Sequence, residues 1–316
     1  MIWSELTESI SGNRSFLISS HASLDGDCIG SELAMCWYLA SLSKKAVVYN
    51  VEAVPQKLSF LDGSGILTNN RPTERFDAIM VLDCSNPKRL GWDGSAAIAN
   101  SVVNIDHHRD NTNFGNVNVV SGDAAATGQI IYDYFSHLKI DIPASVAEAL
   151  YTAILTDTGG FRFSNTTSAV LKISADLCDR GANPSAIYDK VYSSFSPRGM
   201  MLQSRIWSTL AFHHNDAICT MEMPYDLIER VGATYGDSEG MADLTIIAEG
   251  VEVGILMKYS PAQTHFSLRS RGKVDVGKIA KRNDGGGHSS AAGCTMNLPL
   301  FEAKTKMLDI IAKELG

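Results

Sequence analysis

Four apolar segments of this chain each run into a carboxylate or an imidazole at their C-terminal end, and that recurrence limits the fold more than any other feature. Phe16-Leu17-Ile18 leads to His21, Asp25 and Asp27, and Ile79-Met80-Val81-Leu82 leads to Asp83. Val102-Val103-Asn104-Ile105 leads to Asp106-His107-His108, and Ala153-Ile154-Leu155-Thr156 leads to Asp157. Short apolar runs that alternate with helical periods predict a mainly parallel, doubly wound α/β sheet. In such open sheets, sites are built at the carboxyl ends of the strands.

Any one of these acids has a plainer explanation. An Asp at a strand end is more often a helix N-cap, and a lone His is more often a satisfied structural residue. The set is different, because unpaired acids rarely crowd together at one sheet edge. Carboxylate oxygens and imidazole nitrogens, without thiolates, suit Mn²⁺, Fe²⁺, Co²⁺ or Mg²⁺ better than a structural zinc. Asp25 and Asp27 flank Gly26 and so can address neighbouring ions, while Asp83, alone on its strand end, is placed to bridge them. His107 and Asp157 would complete the shell of the second ion. Two cations about 3.5–4 Å apart can share a hydroxide and clamp a phosphoryl group for in-line attack.

Composition narrows the function classes. At 316 residues with 45% hydrophobic content, the chain can build two cores, which excludes disorder. A net charge of −8 argues against coating long duplex nucleic acid, which calls for a broad basic face. A small or end-bound anion held by local cations remains compatible with that charge. Met1-Ile2-Trp3-Ser4-Glu5 shows no signal-peptide pattern, and no apolar run approaches membrane-spanning length. The expectation is a cytoplasmic protein without membrane partners. Cysteines 28, 36, 84, 178, 219 and 294 are dispersed with no C-x-x-C pair, which fits reduced thiols; Cys28 and Cys84 read as small buried residues.

The predicted strands of the first half are Phe16–Ser20, Ala46–Tyr49, Ala78–Leu82 and Val102–Ile105. The predicted helices are Gly30–Leu42, Thr127–Leu138, Pro143–Leu155 and Ser168–Arg180. Pro184 suits a further helix start and Gly181 a helix stop. A polar, Pro-bearing break at Tyr192–Pro197 separates a first domain, 1–190, from a linker with a helix, 191–210. A smaller α+β domain, 211–316, follows, with strands Ala217–Met223, Val253–Tyr259 and His265–Arg269 and helices Tyr225–Val231, Met241–Ala248 and Leu300–Leu315.

The second domain has its own signal in Asp284-Gly285-Gly286-Gly287-His288-Ser289-Ser290-Ala291-Ala292-Gly293. Successive glycines let backbone N–H groups approach an anion closely. The small residues after them suit a helix start, whose N-terminus also favours phosphate. Upstream, Arg269 and Arg271 sit at the end of a strand run, where a guanidinium fork suits phosphate. Lys278, Lys281 and Arg282 read instead as a solvated helix face. Arg162, just past Asp157, could reach a second phosphate.

His21-Ala22-Ser23-Leu24-Asp25-Gly26-Asp27-Cys28-Ile29-Gly30-Ser31 resembles the first motif, H-x-x-P-D-x-D-x-x-G-S, of the DHH phosphoesterase superfamily, with Leu24 where a proline is usual. Asp83 matches the second motif, Asp106-His107-His108 the third and Asp157-Thr158-Gly159 the fourth. Gly285–Gly293 resembles the G-G-G-H-x-x-A-A-G signature of the DHHA1 domain, and Ser267–Ser270 its substrate-reaching strand. By this resemblance His21, Asp25 and Asp83 would hold one metal, and Asp27, Asp83, His107 and Asp157 the other. His108 would be catalytic at the substrate phosphate, as a donor or general acid, and Asp83 catalytic as the bridge. Asp106 would orient a histidine or serve as a turn residue. Arg269, Arg271, Gly286, Gly287, His288 and Arg162 would bind substrate.

The ions expected are two divalent cations, Mn²⁺ first, with Mg²⁺ or Co²⁺ as alternatives. Family II inorganic pyrophosphatases lack the G-G-G-H motif, RecJ-type exonucleases are much longer, and cyclic dinucleotide phosphodiesterases often carry membrane helices. What remains resembles the compact NrnA-type oligoribonucleases, which also act on 3′-phosphoadenosine-5′-phosphate (pAp). The resemblance implies a cleft between the domains, short RNA oligonucleotides and bisphosphorylated nucleotides as partners, and attack by a bridging hydroxide; a homodimer is compatible with it. The alternatives are a linear dinucleotide phosphodiesterase, a polyphosphate or pyrophosphate hydrolase, and a non-catalytic nucleotide-binding module.

Overall fold

The structure is a computed structural model that describes residues 2–61, 65–92, 98–193, 196–238 and 240–316. The chain divides into two compact units, 1–194 and 195–316.

The first unit runs α1 (Ile2–Gly12), β1 (Ser15–Ser19), α2 (Gly26–Ser41), β2 (Lys45–Tyr49), β3 (Leu67–Thr68), β4 (Phe76–Leu82), β5 (Ala99–Asp106) and β6 (Val117–Val120). Four helices follow: α3 (Thr127–His137), α4 (Ala144–Asp157), α5 (Ser168–Asp179) and α6 (Pro184–Tyr192). The strands form one sheet in the order β3-β2-β1-β4-β5-β6, every pair parallel. The strand order therefore reverses between β1 and β4. That reversal is the topological switch point, where open α/β sheets leave a crevice beyond their carboxyl ends. The loop holding His21, Asp25 and Asp27 follows β1, and Asp83 follows β4.

The sheet buries Phe16, Ile18, Ala78, Met80, Val103 and Ile105 against α2, α3 and α4, and Leu17, Ile79, Val81 and Tyr49 on its other face. Near-continuous apolar strands of this kind are what burial on both faces requires. Helix α2 begins at Gly26, four residues before the predicted start, because Asp25 Oδ1 accepts from the N–H groups of Asp27 and Cys28, both at 3.0 Å. Apolar periodicity could not show this start, since it is set by the Asp25 cap and not by apolar spacing. Asp157 is delivered by the C-terminal end of a helix, α4, rather than by a strand.

Tight packing of α2 on α4 rests on small residues. A Cβ on Gly30 would lie 2.3 Å from the Ala149 carbonyl oxygen, and one on Gly26 would lie 2.5 Å from the Thr156 side chain. Strands β3 and β6 and helix α1 are short or mixed in polarity, which is why apolar pattern alone did not predict them.

The second unit runs α7 (Pro197–Trp207), β7 (Ala211–His213), β8 (Ile218–Pro224), α8 (Leu227–Val231), α9 (Met241–Leu244), β9 (Val253–Tyr259), β10 (Thr264–Ser270), α10 (Val276–Lys281), β11 (Gly286–Gly287), β12 (Ala291–Met296) and α11 (Leu300–Leu315). Its sheet is mixed, β11-β12-β10-β9-β8-β7, with β8 and β9 the parallel pair. One core joins Phe266, Leu268, Ile255 and Met257 to Ala303, Met307 and Ile311 of α11. Another joins Met221, Met223 and Leu256 to Leu202 and Ile206 of α7. The helix expected in a linker thus packs on this unit, while its Met200 and Met201 are exposed.

One expectation is corrected here. Ala291-Ala292-Gly293 does not start a helix; it opens strand β12, which pairs antiparallel with β10. Alternation decides this: Ala292, Cys294 and Met296 face the core, while Ala291, Gly293 and Thr295 face away. The glycines serve close strand approach. Gly287 has φ +135°, and a Cβ on Gly285 would lie 2.1 Å from the Gly293 carbonyl oxygen.

Gly30→Ala should destabilise the first unit by about 1–3 kcal/mol, the range for inserting a methyl into a packed interface. Gly12→Ala, where a Cβ meets nothing within 4 Å, should not. Denaturant midpoints at constant m-value would test both, and an unchanged midpoint for Gly30→Ala would refute the packing account.

Candidate metal centre

Asp83 has a positive φ of 51°, a conformation that Asp tolerates at a cost of about 1–2 kcal/mol. Its N–H still donates to the Ile105 carbonyl at 3.0 Å, so β4 stays registered with β5 up to the point where the backbone turns. The turn places the carboxylate, 2% exposed, among three histidines. Oδ2 lies 3.4 Å from His21 Nε2, and Oδ1 lies 3.4 Å from His107 Nε2 and 3.6 Å from His108 Nδ1.

Around His21 lie Asp25 Oδ2 at 3.7 Å and Cys28 Sγ at 3.3 Å, with Sγ also 3.3 Å from Asp83 Oδ2. Around His107 Nε2 lie Asp157 Oδ2 at 3.0 Å and Asp27 Oδ2 at 3.8 Å. The donor atoms of His21, Asp25, Cys28 and Asp83 lie within 4.8 Å of one another, as do those of Asp27, His107 and Asp157. All six predicted metal ligands therefore converge. The arrangement is two adjoining groups that share Asp83.

The groups are held from behind. Asp27 is fully buried and accepts from Thr127 N at 2.6 Å, Gly128 N at 2.8 Å and Ser31 Oγ at 3.1 Å. It thereby caps α3, whose own N-cap residue is Ala126 with no side-chain acceptor. Helix α2 is capped by Asp25, so both carboxylates sit at helix N-termini, which favour negative charge. Buried Glu32 accepts from Ser20 Oγ at 2.6 Å and Asn50 Nδ2 at 2.8 Å, and Asn50 Oδ1 accepts from Ser20 N at 3.2 Å. That network fixes the residue just before His21. His107 Nδ1 faces the Ala124 carbonyl at 3.4 Å, which leaves Nε2 toward the carboxylates.

His108 is built differently. Asp106, fully buried, takes its Nδ1 at 2.7 Å, and Asn111 Nδ2 holds the other Asp106 oxygen at 2.5 Å. Asp106 thus orients His108. Arg89 Nη1 lies 3.0 Å from His108 Nε2. A guanidinium N–H can only donate, so Nε2 is the acceptor and the ring carries its hydrogen on Nδ1. In this arrangement Arg89, not His108, presents donors beside the cluster. A polar recess of ≈ 370 Å³, lined in part by His108, Arg109 and Asn111, opens next to it.

Charge in the cluster follows from crowded acids. Burial resists charging His21, but Asp25 and Asp83 overcome this and raise it to about 10. Burial likewise opposes His107, yet its hydrogen bonds to Asp157 and Asp83 raise it to about 12. Asp83 is buried too, but the hydrogen bonds of His107 and His21 hold it well below the usual carboxylate range. Burial, then the charges of Asp83 and Asp157, push Asp27 well above that range. Burial is also the largest influence on Asp157, raised to about 6. Protons on imidazoles and carboxylates neutralise the site, a task that divalent cations perform better among oxygen and nitrogen donors. The convergence of donors on His21 Nε2 and the division of Asp83's two oxygens between two groups both fit a pair of ions.

The remaining predicted residues take no part in these groups. Arg162 is exposed after α4, and its Nε donates to the Gly159 carbonyl at 2.7 Å. The others belong to the second unit. Arg269 lies on the polar face of β10, ion-paired through Nε with Asp243. Arg271, exposed just beyond β10, donates to the Ile246 carbonyl at 2.8 Å. Gly286 and Gly287 form the exposed strand β11, and exposed His288 donates its N–H to the Ala291 carbonyl at 2.7 Å. Sequence reasoning missed Arg89, whose only signal was its place six residues after Asp83, and set Cys28 aside because small buried thiols are commoner than functional ones.

The description "DHH family, N-terminal domain" matches residues 15–154, and "DHHA1 domain" matches residues 220–315. A curated Thermus thermophilus protein, the bifunctional oligoribonuclease and PAP phosphatase NrnA, is 34% identical over 94% of this chain and 89% of its own length. The Bacillus subtilis protein of the same name is 24% identical over 92% of each chain. A solved Bacteroides fragilis structure, titled an exopolyphosphatase-related protein, superposes with a TM-score of 0.92 at 26% identity, covering 99% of this chain and 95% of that one.

Ion binding should release protons, because at neutral pH the raised pKa values keep His21 and His107 protonated until an ion displaces those protons. Mn²⁺ affinity should therefore rise with pH. Calorimetry in two buffers of different ionisation enthalpy would measure the release, and identical heats in both would contradict it.

Proposed function

The chain belongs to the DHH family and carries a DHHA1 domain, and on that premise we propose that it hydrolyses short oligoribonucleotides to nucleoside monophosphates and pAp to AMP. The observation that carries the reading is the single buried carboxylate of Asp83, shared between a group containing His21 and Asp25 and a group containing Asp27, His107 and Asp157. His21, Asp25 and Asp83 would hold one ion, and Asp27, Asp83, His107 and Asp157 the other; Mn²⁺ is the proposed pair, with Mg²⁺ or Co²⁺ as alternatives. When bound, two such ions lower the pKa of water and neutralise a phosphoryl group.

The rest falls to the chain's own residues. Arg89 and His108 address the substrate phosphate, with the guanidinium donating to its oxygens and the imidazole kept in register by Asp106. If Arg89 moves onto the phosphate, His108 Nε2 becomes accessible for proton exchange with the leaving oxygen. Arg269, Arg271, Gly286, Gly287, His288 and Arg162 are proposed to anchor the nucleotide, with Asp243 setting the plane of the Arg269 guanidinium. A net charge of −8 is compatible with a substrate gripped locally rather than along a backbone.

The test is a substrate panel with Mn²⁺: ribonucleotides from dimer to pentamer, a long RNA, pAp, pyrophosphate and polyphosphate. Rapid mononucleotide release from the short RNAs, with AMP from pAp, is expected. Phosphate from pyrophosphate or polyphosphate alone would reject the nucleotide reading. Asp83→Asn should lower kcat/KM on the order of a thousandfold or more, given the several kcal/mol of transition-state charge stabilisation at stake. Arg269→Ala should chiefly raise KM at unchanged metal content, and loss of metal in that variant would refute a role confined to substrate.

A further inference from the structure

We infer that Cys28 is a sulfur ligand of the first ion and makes that position selective for thiophilic divalent cations. The inference rests on the metal reading of the cluster and adds a donor to it. Cys28 is fully buried in the first turn of α2, where the capping oxygen of Asp25 holds its N–H at 3.0 Å. That fixes the side chain toward the cluster, with Sγ 3.3 Å from His21 Nε2 and 3.3 Å from Asp83 Oδ2.

Donor spacing supports coordination. Four ligands at about 2.0–2.3 Å around a tetrahedral ion stand roughly 3.3–3.7 Å apart. The two sulfur edges match that range, as do His21 Nε2 to Asp83 Oδ2 at 3.4 Å and His21 Nε2 to Asp25 Oδ2 at 3.7 Å. A second observation is independent of the cysteine. His21 is only 6% exposed, and apart from the thiol its Nε2 faces Asp83 Oδ2 at 3.4 Å and Asp25 Oδ2 at 3.7 Å. Its Nε2 is aimed into this space. Cys84, also beside a ligand, differs: its Sγ donates to the Asn86 carbonyl at 3.1 Å and takes no part in the cluster.

The thiol hydrogen that Sγ directs at Asp83 Oδ2 is what an ion would displace. The S–H bond breaks, its proton passes to solvent, and the sulfur lone pair forms the bond to the ion. A His, two carboxylates and a thiolate suit Zn²⁺, Co²⁺ or Cd²⁺ far better than Mg²⁺. The second group, with Asp27, His107, Asp157 and Asp83, offers only oxygen and nitrogen. The two positions would therefore differ in selectivity: of the ions proposed above, Co²⁺ suits the first and Mn²⁺ or Mg²⁺ the second.

The test uses Co²⁺ on the metal-stripped, full-length protein under reducing, anaerobic conditions. A sulfur-to-cobalt charge-transfer band should grow in the near ultraviolet and saturate at a single ion per chain. It should vanish in Cys28→Ser and Cys28→Ala and persist in Cys36→Ala. Co²⁺ affinity should fall roughly tenfold or more in the Cys28 variants, since even partners behind a ligand are worth 10–100-fold. Mg²⁺ affinity should change much less. Bound cobalt without the band, or a band that survives both substitutions, overturns the role of Cys28. Failure to bind cobalt at all overturns the metal reading beneath it. Cobalt-edge X-ray absorption on the unaltered chain covers the case in which neither variant folds, because absence of a sulfur scatterer there is equally decisive.

Discussion

Everything at the centre of the first unit is arranged around one carboxylate that faces two ways. Asp83 ends the strand beside the topological switch, in a left-handed conformation, with one oxygen toward His21 and the other toward His107. A carboxylate this buried is costly unless its charge is met. Three histidines reach it from two different loops, and Thr127 Oγ1 adds a contact at 3.3 Å. Because the two oxygens are a fixed distance apart, the groups they address are spaced as well.

The supports of the cluster do two jobs each. Asp25 caps α2 with one oxygen and offers the other toward His21. Asp27 caps α3 and lies near His107. Helix N-termini suit these carboxylates as acceptors, while Gly26 and Gly30 let α2 lie close enough to α4 to bring Asp157 into reach. Packing and electrostatics are thus joined: the small residues set the helix spacing, and the helix spacing sets the ligand spacing. Behind His108, the sequence Asn111–Asp106–His108–Arg89 forms a polar chain in which a guanidinium fixes the imidazole tautomer. A ring whose Nε2 accepts from Arg89 can take up a proton there and pass it on only after Arg89 has moved.

In the second unit, small residues again decide the geometry, by letting strands approach. The glycine run lies against β12 as a short strand, with a positive φ at Gly287, instead of leading into a helix. Small side chains by themselves suit a helix start or a strand, and their alternation separates the two. Ala292, Cys294 and Met296 form an every-second-residue core stripe that only a strand can use.

How much was legible from residues alone differs by level. The parallel sheet, the central strands and the six converging acids and imidazoles followed from apolar runs that end on polar donors, because strand burial and strand-end chemistry are both local properties. The motifs from His21 to Asp157, and the resemblance they carry to the DHH family, were fixed in the same way. Tertiary structure alone decided which of these side chains stand within reach of one another. Sequence separation does not report that Asp83 divides its oxygens between loops 24 residues after it and 62 before it, at His107 and His21. Nor does it report that Cys28 turns inward or that Arg89 meets His108. Those depend on the start of α2, set by the Asp25 cap, and on strand register, which distant hydrogen bonds impose.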